Sequence, residues 1–256
     1  MRTEAASTGN DYRLLAVLLL VASGLAWVAL WRFGQSPYVH YLHHAHRHAP
    51  PGGGHLFASV IFVGGWTVMT VAMMLPTSIP LITLFYRVAA GRADRGLLVG
   101  IVVTGYLVVW AGFGLLAYVG AVGFRSAVAE SAWLRANAWF LGTATLSLAG
   151  AYQFSALKYR CLDKCRSPLS FVVAHWSGER HVRQAMWLGV HHGVFCVGCC
   201  WTLMLLMFPF GAGNLGWMLA LGVLMALEKN VPWGRQLGRS VGALLLTAAF
   251  VIALRT

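Results

Sequence analysis

Cys196, Cys199 and Cys200 lie in the run HHGVFCVGCCWTLMLLMF, a stretch apolar enough to cross a bilayer, where a reactive or metal-binding side chain is a functional mark. At helical pitch the three thiols share a face as i, i+3 and i+4, with His192 one turn before them, Met204 one turn after, and His191 beside His192. Thiolate, imidazole and thioether on one stripe are the ligand types of soft metals such as Cu(I), and thiolate with imidazole also holds zinc. A second thiol pair, Cys161 and Cys165, stands as Cys-x3-Cys in the basic segment YRCLDKCRSP, and Glu228 adds a carboxylate at the end of a later apolar run. A lone buried cysteine is usually an inert small hydrophobe. Three within five residues, followed on from a His pair, point instead to metal or redox chemistry.

Composition defines the elements that must position these groups. The 256 residues are 59% hydrophobic and 10% charged, with a mean hydropathy of +0.69, and the charges cluster between long apolar runs. We read an all-α, polytopic transmembrane helix bundle with a Pro-broken second hydrophobic segment. The expected spans are 14–31, 57–75, 97–122, 138–157, 185–208, 215–227 and 237–254. The sixth is short and the seventh is interrupted by Arg239, so the count is six or seven. Residues 1–13 read as a cytoplasmic tail and 14–256 as a single integral membrane domain, with a His-rich outer loop at 32–56 and a basic, Cys-containing inner loop at 158–184. The first span has no small-residue cleavage signature after it and reads as a retained helix.

Orientation follows from the basic residues. With the N-terminus inside and seven spans, fourteen of the 19 Lys and Arg fall on inner segments, the asymmetry of a bacterial inner (cytoplasmic) membrane protein. The +12 formal charge then suits an anionic leaflet, and no soluble module presents a basic face to nucleic acid. This topology puts Cys161 and Cys165 at the inner surface and the fifth-span thiols near the midplane.

Other groups extend the pattern. In WTVMTVAMMLPTSIP, Met69 and Met73 follow Trp66 on one helical stripe with Met74 beside them, and Met204 and Met207 extend the cysteine helix outward. Met usually fills core gaps, but two facing stripes could pass a soft metal between thioethers. Pro76 and Pro80 must break or kink their helix. The outer loop YVHYLHHAHRHAPPGGGH carries His40, His43, His44, His46, His48 and His55, which read as opportunistic metal capture, as a pH sensor or as an incidental solvated loop, metal capture being favoured. Gln153 and Lys158 add polar support on the inner side, where Glu228 needs a partner such as Lys158, Arg160 or a metal ion. Snorkelling accounts for Lys229.

Trp66-x2-Met69-x3-Met73-Met74-x-Pro76, Tyr152-Gln153-x4-Lys158-x2-Cys161-Leu162-x-Lys164-Cys165-Arg166-x-Pro168, Gly198-Cys199-Cys200-Trp201-x-Leu203-Met204 and Glu228-Lys229 together resemble a bacterial family of predicted metal-binding integral membrane proteins of unknown function. The resemblance runs from about residue 60 to 235. It implies a metal role and carries no substrate or reaction.

Two function classes follow. In the first, the bundle binds a transition metal, copper favoured and zinc possible, and moves or delivers it, with the lipid bilayer and another membrane protein or metallochaperone as partners and no reaction assigned. In the second, the Cys pairs serve a thiol-disulfide or quinone-linked oxidoreductase. A scaffold for another membrane complex is a third, in which the cysteines matter little. The absence of a nucleotide-binding Gly-rich loop argues against ATP-driven transport by this chain. The orientation is open to direct test: His48→Cys should react with an impermeant thiol reagent added outside intact cells, and labelling only after the cytoplasm is opened would reverse the topology.

Overall fold

The computed structural model describes residues 2–35, 54–137, 139–177, 181–210 and 214–255, and within them every regular element is helical. Five stretches are long and apolar enough to cross a membrane: Asp11–Gly34, Leu56–Met73, Arg95–Glu130, His181–Leu205 and Gly234–Arg255. They lie in α1 (Arg2–Gly34), α2 (Gly54–Met73), α4 (Arg95–Glu130), α9 (His181–Leu205) and α12 (Gly234–Arg255). Shorter helices connect them: α3 (Leu75–Val88), α5 (Ala132–Ala136), α6 (Trp139–Tyr152), α7 (Ala156–Arg166), α8 (Pro168–His175), α10 (Met207–Phe210) and α11 (Leu215–Asn230).

Two of the expected spans are short. α6 has 14 residues and α11 has 16, or about 21 and 24 Å at helical rise, against a hydrocarbon core of about 30 Å. α6 ends at Tyr152, earlier than the expected 157, because Ser155 caps a new helix by accepting from the Lys158 N–H at 3.1 Å. Arg239, by contrast, does not interrupt α12. Its guanidinium leaves the helix sideways to lie 5.8 Å from the Tyr159 ring centroid.

α9 is the central helix and packs most extensively against α4, with α7 and α6 on other sides; α12 lies along α6, and α1 along α2 and α3. The α4–α9 crossing is built from small residues. A methyl added at Gly105 would stand 2.6 Å from the Met186 carbonyl oxygen, and one at Gly189 would collide with the Val102 backbone. Only hydrogen at these positions lets the two backbones touch, the usual packing device of helices that share an apolar solvent.

One helix ends at Met73 and the next begins at Leu75. Pro76 has no N–H to give the Ala72 carbonyl four residues earlier, and that carbonyl instead accepts from Ser23 Oγ at 2.8 Å and Trp27 Nε1 at 3.1 Å, both on α1. The Met74 carbonyl takes the Thr77 hydroxyl at 2.7 Å. Buried backbone oxygens in an apolar bundle need such replacements, and they hold Met74, Thr77 and Ser78 facing the centre of the bundle, where all three are buried.

The crossing gives a measurable expectation. Gly189→Ala should lower stability in mild detergent by about 1–3 kcal/mol through overpacking. Gly100, on an exposed face of α4 with open space around its Cα, should tolerate Ala with no loss, since Ala is the better helix former by about 1 kcal/mol. Thermal unfolding followed by circular dichroism compares the two.

Candidate metal centre

The sulfur groups gather where α7 crosses α9. Gly198 makes the crossing possible: a methyl there would be 2.6 Å from Cys161 Sγ, so the Cys161 thiol lies directly on the α9 backbone. The Tyr152 hydroxyl donates to the Gly198 carbonyl on the same side. One turn further along α7, the Cys165 thiol is near enough to Cys199 to hydrogen-bond toward it. On α9 itself, Cys199 Sγ and Cys200 Sγ both donate to the Cys196 carbonyl, at 3.1 and 2.9 Å. All five cysteines are free. Of the two on α7, outside the five candidate spans, burial pushes the Cys161 thiol up, and the hydrogen bond toward Cys199 followed by burial pushes Cys165 well up. Both are protonated at neutral pH and must lose protons to bind metal.

Cys196 has a different environment. Lys229 Nζ lies 3.0 Å from its sulfur, and the Tyr106 hydroxyl lies 3.2 Å away. An ammonium can only donate, so the sulfur is the acceptor of the Lys229 bond. The same ammonium reaches Thr77 Oγ1 at 3.3 Å and Met74 Sδ at 3.7 Å, and Cys200 Sγ is 3.8 Å from Met74 Sδ. A cation is thus buried among two sulfurs and a hydroxyl. Lys229 is only 7% exposed, which corrects the expectation that it snorkels to the interface.

The preceding residue points elsewhere. Glu228 is paired with Lys158, its carboxylate oxygens 2.8 and 2.9 Å from Lys158 Nζ, and the two side chains are 2% and 1% exposed. Gln153 Oε1 accepts from the same ammonium. Arg166, at the end of α7, donates to the Glu228 and Val231 carbonyls at 2.9 and 2.8 Å, satisfying the C-terminal end of α11. Both Glu228 oxygens are therefore engaged by Lys158, and the geometry gives this residue to an ion pair.

The remaining sequence candidates divide. His192 is buried, 3.0 Å through Nε2 from Ser78 Oγ, and stacks on Tyr106 at 5.5 Å between centroids; its Nδ1 has no hydrogen-bond partner among the described residues. His191 faces away, toward His175 at 4.9 Å and Trp187 at 5.4 Å between ring centroids. Met73, Met74 and Met204 are buried in the same apolar cluster as the fifth-span thiols, and Met69 and Met207 sit in that cluster as well. His40, His43, His44, His46 and His48 lie outside the described residues. Among the described residues, no three His, Cys, Asp or Glu side chains form a ready-made metal cage. What the cluster does offer is a set of soft donors from α7, α9 and the α2–α3 junction, which matches Cu(I) better than a cation that wants oxygen ligands. Sequence reasoning missed Tyr106, Ser78 and the inward role of Lys229; no local pattern marks a residue whose partner lies across the bundle.

The Lys158–Glu228 pair has a testable energetic signature. Lys158→Met leaves a buried carboxylate without its cation and should cost about 3–5 kcal/mol, whereas Lys158→Met with Glu228→Met removes both charges and should recover most of that loss. Detergent-solubilised thermal unfolding of the two variants measures the difference, and equal destabilisation would mean that the pair does not pin α7 to α11.

No curated protein and no solved structure matches the chain. A family model described as PpoB2, a copper chaperone, matches residues 63–252. That stretch begins in α2, ends in α12, and contains all five cysteines together with Met74, Lys158, Glu228 and Lys229. It is a metal-related family, in keeping with the resemblance of the sequence, and covers about three quarters of the chain. The chain belongs to the PpoB2 copper chaperone family.

Proposed function

We propose that this chain is a multi-pass membrane protein that binds copper as Cu(I) on the sulfur cluster between α7 and α9 and hands it to a partner. The observation that carries the proposal is the crossing of α7 over α9 at Gly198, which sets the Cys161 thiol against α9 and packs half-buried Cys165 on the buried cluster of Cys196, Cys199, Cys200 and Met74, with the Lys229 cation on Cys196. Family membership supports copper over zinc as the cargo. So does the donor set, since thioether sulfur favours Cu(I) and zinc sites close with thiolate, imidazole or carboxylate.

In this proposal Cys165 and Cys199 are the principal ligands. Each thiol that binds releases a proton, so capture is favoured at neutral pH and reversed by acid. Cys200 and Met74 stand close enough to each other to take part in an exchange of ligands. Met73 and Met204 extend the soft lining, and His192 holds the polar side of the cluster through Ser78. Lys229 keeps positive charge beside Cys196 whether or not metal is bound, which limits the cost of a thiolate in a dry site. With the shorter α6 and α11 counted as crossings, seven in all, the basic segments orient the α7 side toward the cytoplasm of a bacterial inner membrane with the N-terminus inside. The recipient is another membrane protein or a metallochaperone that brings competing soft ligands.

The proximity of Cys165 and Cys199 also fits a thiol-disulfide exchange site. Cys199 is 2% exposed, and an exchange partner must reach a sulfur directly, so the copper reading is preferred. Anaerobic titration with Cu(I) against a competing chelator decides between them. Cys165→Ser with Cys199→Ser should lose at least about a hundredfold in affinity, about 2.8 kcal/mol. An unchanged affinity would remove copper from this site, and a scaffold role would leave both copper content and partner function untouched by the substitutions.

A further inference from the structure

A second group of sulfurs lines a pocket to which no cysteine contributes. Met69 of α2, Met207 of α10 and Met218 of α11 line one pocket, together with Phe62, Trp66 and Phe208. The three methionines are buried, at 5%, 1% and 1% exposure, and come from three separate elements, so no single helical stripe explains their meeting. The aromatic wall is ordered: the Trp66 ring stacks on Phe62 at 6.0 Å and on Phe208 at 6.1 Å between centroids. Trp66 Nε1, like Trp110 Nε1, is buried without a hydrogen-bond partner among the described residues, so the Trp66 ring contributes its faces to the pocket.

We propose that this pocket is a second, thioether binding site for a soft monovalent cation, Cu(I), distinct from the thiol cluster; the choice of ion rests on the copper reading above. Three neutral thioethers supply soft donors without needing to ionise, and an aromatic face favours a cation, with indole the strongest. No lining residue of the pocket carries a charge or titrates near neutral pH. Such a site binds metal without releasing protons and without a thiolate to hold it. It is therefore a site of loose, pH-independent occupancy beside a tight, pH-dependent one. Met73 follows Met69 one turn along α2, and Met74 leads on to Cys200, so sulfur continues from the pocket toward the thiols. No electron is transferred, since copper stays Cu(I) throughout.

The two sites are separable by the pH dependence of Cu(I) affinity, measured on the full chain in mild detergent under anaerobic reducing conditions with a chelator competitor. The wild type should show one class whose affinity is flat between about pH 5 and 7 and another that weakens about tenfold per pH unit for each thiol proton displaced. The variant Met69→Leu, Met207→Leu, Met218→Leu keeps apolar volume and should lose the flat class while retaining the sloping class at wild-type affinity, which also certifies its fold. Cys165→Ser with Cys199→Ser should do the converse. Met218→Leu alone and Trp66→Phe should each weaken the flat class by about threefold to tenfold, about 0.7–1.4 kcal/mol, and supply the decision should the triple variant not fold. A sloping class without a flat one, or a flat class that survives the Met substitutions, overturns the thioether site and leaves the thiol reading intact. Absence of both classes overturns both.

Discussion

The burial of Lys158 and Glu228 is the constraint on which the arrangement of the sulfurs depends. Each charge loses several kcal/mol of hydration when it enters an apolar bundle, and neither can recover it except from the other and from Gln153. The pair therefore fixes α7 against α11 within hydrogen-bond distance. Consecutive residues on a helix point about 100° apart. Once Glu228 is turned to Lys158, Lys229 has to point into the bundle, and it meets Cys196 and Met74. The same docking of α7 carries Cys161 and Cys165 onto α9, where Gly198 leaves room for a sulfur. One electrostatic requirement thus sets the positions of three groups of the cluster, Lys229, Cys161 and Cys165.

A second requirement comes from the backbone. An apolar environment leaves no carbonyl unsatisfied without cost, and Pro76 leaves the Ala72 oxygen without its helical donor. The donors that replace it belong to α1, so the first helix is packed where it closes the α2–α3 junction. That junction places Met74, Thr77 and Ser78 opposite α9. The thioether next to Cys200, the hydroxyl on Lys229 and the hydroxyl on His192 all come from the five residues 74–78, the break after α2 and the first turn of α3. The break between the two helices thus forms one wall of the site.

The apolar periodicity and the charge pattern carry the helical architecture in plain view, and the Cys, Met and Glu groups of the cluster were visible as residue types at telling spacings. The Cys-x3-Cys of α7 and the fifth-span thiols could be related through topology alone, because short antiparallel connections bring the helices together. What spacing could not reveal is which of two adjacent polar residues faces inward. Glu228 reads as a carboxylate that needs a partner such as Lys158, Arg160 or a metal ion, but Lys229 reads as a snorkelling side chain, and only the packing of α11 turns it to Cys196. His191 and His192 are the mirror case: adjacent in sequence, one turned to Ser78 and the other to His175. The shortening of α6 depends on a single cap, Ser155, whose signal is weak inside a long apolar run.

If the cluster holds copper as proposed, its dryness bears on how the metal would leave. Cys196, Cys199, Cys200 and Met74 are between 0% and 2% exposed, so water cannot take over their place at a metal ion, and simple dissociation into solvent would strand a cation in an apolar bundle. Exchange must then proceed ligand by ligand, each departing sulfur replaced by another soft donor before the metal moves. Cys165 is the natural last member of such a series. It lies on a short helix outside the five candidate spans and is more accessible than the thiols of α9, so an incoming ligand reaches it first. The ion pair that holds α7 in place consequently also sets how readily Cys165 can part from Cys199. Under the copper proposal, a tighter pair would favour retention and a looser pair release, so that the two would be balanced through a contact that touches no metal.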